Sequence, residues 1–455
     1  MKRAVFQSGF PEYLPSQRVV ELGVLDSLRR TFELHGFASV ETSSAEALER
    51  LLQKGETDKE VYVLRRLQAD AAGEPGTEPG RERSGLGLHF DLTVPLARYV
   101  VDNAGQLEFP FRRYQIQKCW RGERPQEGRY REFTQADIDV VGKDTLSFEA
   151  DVEIAAVMAE ALSALPVPPL RLQVNNRRLM EGFFLGVGAP DTAAAMRAVD
   201  RLDKVDRGEV RRALVDEAGL AAAAADRCLA LAAIATTDMS FVEAVQDLGV
   251  EHPLLDQGLA ELVSVVQAAH EVATERVQVV ADLRIARGLD YYTGTVFETR
   301  MLGWERIGSV CSGGRYDSLA TDGRTTYPGV GISLGVTRLL APLLSAGRLD
   351  GSRSVPSAVL VALPDEASRR SCRTVAQQLR LRGVPTEVAP EPTKYGRQIR
   401  HAERRGIPYV WFPQEDGSHE VRDIRSGEQH RADPATWSPP DVDLSPTIVH
   451  EEPTA

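Results

Sequence analysis

Apolar residues recur at helical spacing over 16–36, at Val19, Val20, Leu22, Leu25, Leu28 and Phe32. Gly36 stands where a glycine just past the last turn ends a helix. The pattern then shortens. Val61 to Leu64 reads as a strand, whereas Asp70 to Gly87, rich in Gly, Glu, Arg and Pro, has no period and reads as a flexible surface loop. Order is expected again from Leu88 to Tyr99. Arg112 to Arg121 and Gln135 to Val141 read as two strands joined by the polar stretch Gly122 to Arg131, a long hairpin with a charged tip.

From about 184 to 270 the chain is Ala-rich, with Leu, Val and Met at helical spacing, and a helical insertion is expected. Strand character resumes at Val277–Ala281 and Val296–Thr299, and Val330 to Leu344 reads as strand then helix. Leu349 to Pro356 reads as a linker. Beyond it Ala358–Val361, Ala367–Arg382, Thr386–Val388, Gly396–Arg405 and Tyr409–Phe412 alternate as β-α-β-α-β, which predicts a small α/β domain. Pro439 to Ala455 has little apolar content and is expected to be disordered. The pattern thus divides the chain into a core in two parts, 1–183 and 271–348, around an insertion at 184–270. A C-terminal α/β domain at 356–436 and a tail at 437–455 follow. There is no internal repeat.

Composition narrows the class. A chain of 455 residues with 42 % hydrophobic residues can bury several cores. No apolar run reaches the roughly 20 residues that cross a membrane. Met1 to Leu14 lacks both the apolar core of a secretory signal and an Arg/Ser-rich transit pattern, so a cytoplasmic location is expected. Cys119, Cys228, Cys311 and Cys372 are far apart and form no C-x-x-C pair, which indicates neither a zinc site nor a disulfide framework. No protein-held metal is expected. The net charge of −12 disfavours a non-specific polyanion binder but leaves room for a local basic face.

Three segments carry candidate chemistry. In the hairpin, Arg121 and Glu123 lie two apart at a strand end and can share one face. A guanidinium there suits bidentate grip on phosphate, and Arg129 could hold further oxygens. Gln135, Asp137 and Asp139 alternate and share one face of the returning strand. A solvated charged hairpin is the plain alternative. In the second segment, Arg287 precedes Gly288, which permits close approach to a ligand, and Tyr291 and Tyr292 supply a flat wall with hydroxyl tips. An edge strand with an aromatic pair would look the same. In the third, Cys311 to Asp317 and Gly329 to Leu339 are rich in small residues that permit close ligand approach. Arg338 opens the following helix, whose N-terminus favours anions. Neither a P-loop nor a strand-linked G-x-G-x-x-G occurs.

A local charge pattern adds to these. Arg397, Arg400, His401 and Arg404 fall at i, i+3, i+4 and i+7 of an expected helix and share one basic face, or else simply a solvated one.

Together these segments resemble the class II aminoacyl-tRNA synthetases and, within them, the histidyl-tRNA synthetase family. Ser8 to Pro15 with the helix after it resembles the opening and first class motif, the Arg121 hairpin the second, and Gly329 to Leu339 the third. Arg287-Gly288-Leu289-Asp290-Tyr291-Tyr292 and Ser312 to Asp317 resemble the two histidine signatures, and Lys394–Pro408 with Val421–Gln429 the anticodon-binding domain. The resemblance spans about residues 5 to 435 and implies an α+β catalytic core with an antiparallel sheet, a helical insertion and a C-terminal α/β anticodon-binding domain. His89-Phe90-Asp91-Leu92-Thr93 looks more like the archaeal and eukaryotic version of its segment than the version of many bacterial members.

The resemblance implies a two-step reaction: histidine attacks the α-phosphate of ATP, and the aminoacyl group then passes to the 3′ end of tRNA(His). It implies that Arg121 grips the α-phosphate, Glu123 reads adenine, Phe133 stacks on it, and Arg129 and Arg338 hold other phosphate oxygens. Arg287 would face the α-phosphate from the other side. Asp91 and Thr93 would bind the α-amino group, Gln135 the α-carboxylate, and Asp139 and Tyr292 the imidazole, with Tyr291 beside them. Mg²⁺ is expected with ATP. A homodimer through the helix at 16–36 is expected, with Arg397, Arg400 and Arg404 toward tRNA. The rival reading is a non-catalytic paralogue, the regulatory subunit of ATP phosphoribosyltransferase. That paralogue typically lacks a C-terminal domain of the kind expected here.

Overall fold

The computed structural model describes residues 7–52, 61–65, 85–202, 205–286, 292–414 and 416–450. By contact density the chain forms two compact units, one of Met1–Pro11 and Leu25–Pro342, the other of Glu12–Val24 and Leu343–Ala455.

The first unit is built on a nine-stranded sheet. Its strands are β1 (Ala38–Ser39), β2 (Phe111–Trp120), β3 (Glu132–Val141), β4 (Leu170–Asn176), β5 (Ala235–Thr236), β6 (Val277–Asp282), β7 (Tyr292–Met301), β8 (Cys311–Thr321) and β9 (Thr326–Gly335). They lie side by side as β1-β2-β3-β9-β8-β7-β4-β6-β5. The run from β2 to β4 is antiparallel, and among the described residues parallel pairs in this sheet occur only at β1/β2 and β4/β6. The sheet is therefore mixed around an antiparallel centre. The centre is where the predicted hairpin and the Gly-rich strands meet, and β3 is buried over most of its length.

Helices Glu149–Ser163 and Pro253–Val272 pack on each other and against this sheet through Ile154, Val157, Met158, Leu262, Val265 and Val266. Helix Arg177–Gly186 starts where the Asn176 side chain accepts from the Arg178 and Leu179 amides, satisfying donors the first turn cannot pair. It then crosses Pro253–Val272 at contact distance. A Cβ on Gly182 would stand 2.2 Å from the Leu255 nitrogen, and one on Gly258 would stand 2.2 Å from the Leu179 nitrogen. The stretch expected to be a helical insertion thus also contains a strand, β5, that joins the main sheet, and its long helix Pro253–Val272 packs on that sheet.

A further difference concerns a short segment. Asp70 to Gly87, expected as a loop, ends in strand Leu86–Leu88, which pairs with Ala45–Ala47 and Val63–Leu64; residues 66–84 lie outside the described ones. A three-residue strand has too few positions to show a period, so only pairing reveals it.

The second unit holds strands β10 (Val359–Val361), β11 (Thr386–Val388), β12 (Tyr409–Pro413), β13 (His419–Asp423) and β14 (Gln429–Arg431), ordered β11-β10-β12-β13-β14. The first three are parallel and the last two antiparallel, as the β-α-β-α-β reading implied for its first half. Helices Arg369–Leu381 and Tyr395–Arg405 complete it, around Val359, Leu360, Val375, Leu379, Val410 and a fully buried Trp411. The expected linker and disordered tail are corrected here. Leu349–Gly351 pairs antiparallel with Ile448–His450, and Asp441–Leu444 is a helical turn. Asp443 in that turn accepts from Tyr409 at 2.8 Å and from Arg425 at 2.7 Å. Long-range pairing and ion pairs order this segment, and composition does not report them. Residues 451–455 lie outside the described ones.

No helix among the described residues is long and apolar enough to cross a membrane. The four cysteines are buried and form no disulfide.

Candidate active site

Phe133, Gln135, Asp137 and Asp139 alternate along β3, so their side chains share one face of the sheet. Register fixes their neighbours. Asp139 lies opposite Arg113 on β2 and Gly331 on β9; Asp137 lies opposite Gln115 and Ser333. Arg113 is fully buried and its Nη2 stands 2.6 Å from Asp139 Oδ2. The other oxygen, Oδ1, accepts from the Tyr316 hydroxyl at 2.9 Å. Removing one partner from such a buried pair typically costs about 3–5 kcal/mol, because the remaining charge is left uncompensated.

The glycines of the third segment make room for these side chains. A Cβ on Gly331 would lie 2.0 Å from Asp139 Oδ1, and one on Gly329 would lie 2.4 Å from the Tyr316 ring. The small residues expected to admit a ligand therefore admit the protein's own acid and phenol first.

Asp137 is buried beside this pair. Loss of water is the main cause that pushes its carboxyl up to about 7, with repulsion from Asp139 and Asp91 adding and Arg113 and the Ser333 hydroxyl opposing. Its Oδ1 has no hydrogen-bond partner among the described residues.

On the cavity side of Gln135, Arg121, Glu123, Arg129, Phe133, Gln135 and Arg338 line one open cavity with Ser309, Ser312 and Ser333. The Arg121 guanidinium lies over the Phe133 ring, 5.0 Å from its centroid, and its Nε donates to the Phe90 carbonyl at 3.0 Å. Arg129 Nη1 stands 3.7 Å from Glu123 Oε2. Arg338, in the first turn of helix Val336–Ser345, donates to the Gly128 carbonyl at 2.5 Å and the Ser309 carbonyl at 2.8 Å. It ties the hairpin tip to the approach of β8. The three guanidiniums line one cavity beside a planar ring and a single carboxylate, an arrangement suited to a polyphosphate with an aromatic base.

Asp91 and Thr93 do not line this cavity. Asp91 Oδ1 accepts the Val94 amide at 3.0 Å at the start of helix Thr93–Asn103, and its charge is felt at Asp137. Tyr292 is buried at the start of β7, opposite Tyr316, with its ring against Gly314. Arg287 and Tyr291 lie outside the described residues. Arg113, Asp137 and Tyr316 received no role from sequence. Tyr316 lay inside a segment singled out for its glycines, and Asp137 inside the alternating face. Arg113 gave no signal, since its partner is 26 residues away and meets it only through strand register.

In the second unit, Arg397, Arg400 and Arg404 are exposed on one side of helix Tyr395–Arg405. Gln398 on the other side clamps the helix to Leu363, accepting from its amide at 2.9 Å and donating to its carbonyl at 2.8 Å. His401 is half-buried against Arg405, whose guanidinium is 2.5 Å from Glu387, so His401 does not complete the exposed stripe.

A family model for histidyl-tRNA synthetase matches residues 9–339, and one for the anticodon-binding domain matches 358–436. The chain belongs to the histidyl-tRNA synthetase family. It is 56 % identical to the histidine–tRNA ligase of Micrococcus luteus, over 99 % of this chain and 100 % of that one. It is likewise 56 % identical to that of Cutibacterium acnes, over 97 % and 98 %. The crystal structure of histidyl-tRNA synthetase from Nostoc sp. PCC 7120 superposes with a TM-score of 0.80 at 32 % identity, covering 95 % of this chain and 97 % of that one. As a member of this family the chain is an aminoacyl-tRNA synthetase, a class II ligase with a mixed catalytic sheet and an anticodon-binding domain. A chain from Bacillus halodurans described as an ATP phosphoribosyltransferase regulatory subunit/histidyl-tRNA synthetase has a TM-score of 0.70 at 19 % identity, a likeness of fold alone.

Proposed function

We propose that the chain activates L-histidine with ATP to histidyl-adenylate and pyrophosphate and then transfers the histidyl group to the 3′ end of tRNA(His). The observation that carries this is the continuous face of β3. It runs from Phe133 and Gln135, in a cavity walled by Arg121, Arg129 and Arg338, to Asp139, which Arg113 and Tyr316 hold.

In this reading ATP fills the cavity. Phe133 stacks on the adenine and Glu123 accepts from its amino group. Arg121 meets the α-phosphate, with Arg287 on the opposite side, and Arg129 and Arg338 take the outer phosphates. The reaction is an in-line displacement in which positioning and charge stabilisation carry most of the rate. Gln135 orients the histidine carboxylate toward the α-phosphate. Asp91 and Thr93 attend the α-amino group. Asp139 receives the imidazole N–H, with Tyr292 and Tyr291 closing the pocket around the ring. A neutral imidazole has one donor and one acceptor, so a carboxylate and a hydroxyl can satisfy both.

Mg²⁺ enters as part of the substrate. Among the described residues no three His, Cys, Asp or Glu side chains are grouped to hold a metal, and Glu123 is the one acid on the cavity wall. The phosphates would supply most of the ion's ligands. The exposed arginines of helix Tyr395–Arg405 would lie along the tRNA backbone, and the working enzyme would be a homodimer.

The test is ATP–pyrophosphate exchange with each amino acid in turn, followed by charging of tRNA(His). Exchange dependent on histidine alone supports the reading. Exchange that is absent, or that ignores histidine, overturns it.

A further inference from the structure

Three carboxylates and one guanidinium meet behind the cavity: Asp137 and Asp139 on β3, Asp91 ahead of helix Thr93–Asn103, and Arg113 on β2. Two of the acids have defined structural partners. Asp139 binds Arg113 through Oδ2 and Tyr316 through Oδ1, and Asp91 Oδ1 holds the Val94 amide. Asp137 is left over. Ser333 bonds its carboxylate from β9, yet Oδ1 has no partner among the described residues, in a side chain that is only 2 % exposed. Oε1 of Gln135, the next residue along the same face toward the cavity, also has none. Buried polar oxygens without partners are rare in native structures and call for a reason.

Position along the strand indicates what such an oxygen would meet. Phe133 and Gln135 line the nucleotide cavity, and Asp139 with Tyr316 marks the other end. Residues two apart on a strand are spaced about 6.6 Å. An amino acid lying along this face has its carboxylate by Gln135 and its side chain by Asp139. Its α-carbon and ammonium then fall beside Asp137. The charges agree: three carboxylates against one guanidinium leave the ionised set two negative charges in excess, and a bound ammonium offsets one.

We propose that Asp137 is a further substrate-binding residue, one that accepts the α-ammonium of histidine and does so only as its carboxylate anion. This rests on the reading of the site as a histidine-activating centre. Among the described residues, the titratable and charged groups facing Asp137 are Arg113 and the buried Cys119 thiol from β2, Asp139 on its own strand, and Asp91; β9 contributes the Ser333 hydroxyl. Burial and the two neighbouring acids hold the Asp137 carboxyl at about 7 before substrate arrives. A cationic ligand prefers the ionised form. Binding therefore expels a proton near neutral pH, and affinity climbs as pH rises through that value.

Two probes separate the ends of the substrate. Histidinol keeps the ammonium and the imidazole; imidazolepropionate keeps the imidazole and carboxylate without the ammonium. Both are titrated into the full-length protein and into Asp137→Asn, which preserves shape and the contact with Ser333. Asp137→Asn should weaken histidinol at least about tenfold at pH 8 and much less at pH 6, as expected for loss of a charge-assisted bond. Imidazolepropionate should bind both proteins alike. Equal weakening of both probes, or a histidinol effect independent of pH, overturns the proposal. Should the variant not fold, calorimetry of the wild type at pH 7 in two buffers of different ionisation enthalpy decides. After the proton that each ligand's own imidazole gives up is subtracted, histidinol should release about half a proton more than imidazolepropionate, and equal corrected release overturns the proposal. A wild type that binds neither probe and shows no histidine-dependent exchange overturns the functional reading, and this inference with it.

Discussion

Asp139 is held by a guanidinium and a phenol before any substrate is present, so its orientation is set by the sheet. That is the arrangement a selective site needs, because a pre-placed acceptor rejects side chains that leave it unpaired. Asp139→Asn keeps the shape but removes the charge. It should raise the histidine KM at least about tenfold while changing the ATP KM little, as read from exchange kinetics. Equal loss for both substrates would mean that Asp139 acts only through Arg113. Full removal, as in Asp139→Ala, would also take from buried Arg113 the carboxylate that touches it, leaving Asp137 as the neighbouring acid, and should cost at most roughly 3–5 kcal/mol in stability. Arg287 belongs to the same scale, though its reading comes from sequence. Arg287→Ala should lower histidine activation by about 10² or more while circular dichroism stays native, the usual scale for one lost charge stabiliser. Near-normal exchange by the folded variant would remove its assigned role.

At the scale of elements, β3 is the organising strand. Its period-two pattern sends Phe133, Gln135, Asp137 and Asp139 to one side, and the glycines of β9 leave space for what it carries. Helix Tyr395–Arg405 is the corresponding element of the second unit. It buries Gln398 and Ala402 and turns Arg397, Arg400 and Arg404 outward, then stops at Gly406 in the left-handed conformation, φ +72°. Changing the three arginines to Ala should leave the fold and histidine-dependent exchange intact. It should weaken tRNA binding and flatten the slope of log affinity against log salt by about 2–3, one counterion or slightly less per lost phosphate contact. An unchanged affinity and slope would show that this helix faces solvent.

At the scale of the whole molecule, the C-terminal unit includes Glu12–Val24, the first half of helix Pro15–Leu34. Gly351 lies against Ser16 and Val19, and Gly23 against Ile448. A cut near 351, within the segment expected as a linker, would remove the residues that lie against Ser16, Val19 and Gly23 of helix Pro15–Leu34. Deleting 446–455 is the milder probe. It removes strand Ile448–His450 and leaves Leu349–Gly351 unpaired. Losing these few hydrogen bonds and the Ile448 contact should lower the melting temperature by about 2–5 °C with exchange retained. A melting curve superimposable on the full chain would show that the segment contributes nothing.

The sequence by itself determined the family, the hairpin and its charged tip, the C-terminal alternation of strands and helices, and the cavity residues Arg121, Glu123, Phe133, Gln135 and Arg338. Each of these is written in local spacing or in a contiguous motif, which is the information a one-dimensional pattern holds. Only the tertiary structure decided that Tyr316 and Arg113 hold Asp139, that Asp137 is buried among acids, that β5 closes the main sheet, and that Ile448–His450 is a strand. These depend on which residues stand opposite one another across paired strands, between positions up to 177 apart in sequence as for Tyr316 and Asp139. Register and burial are properties of the assembled sheet, and no local period encodes them.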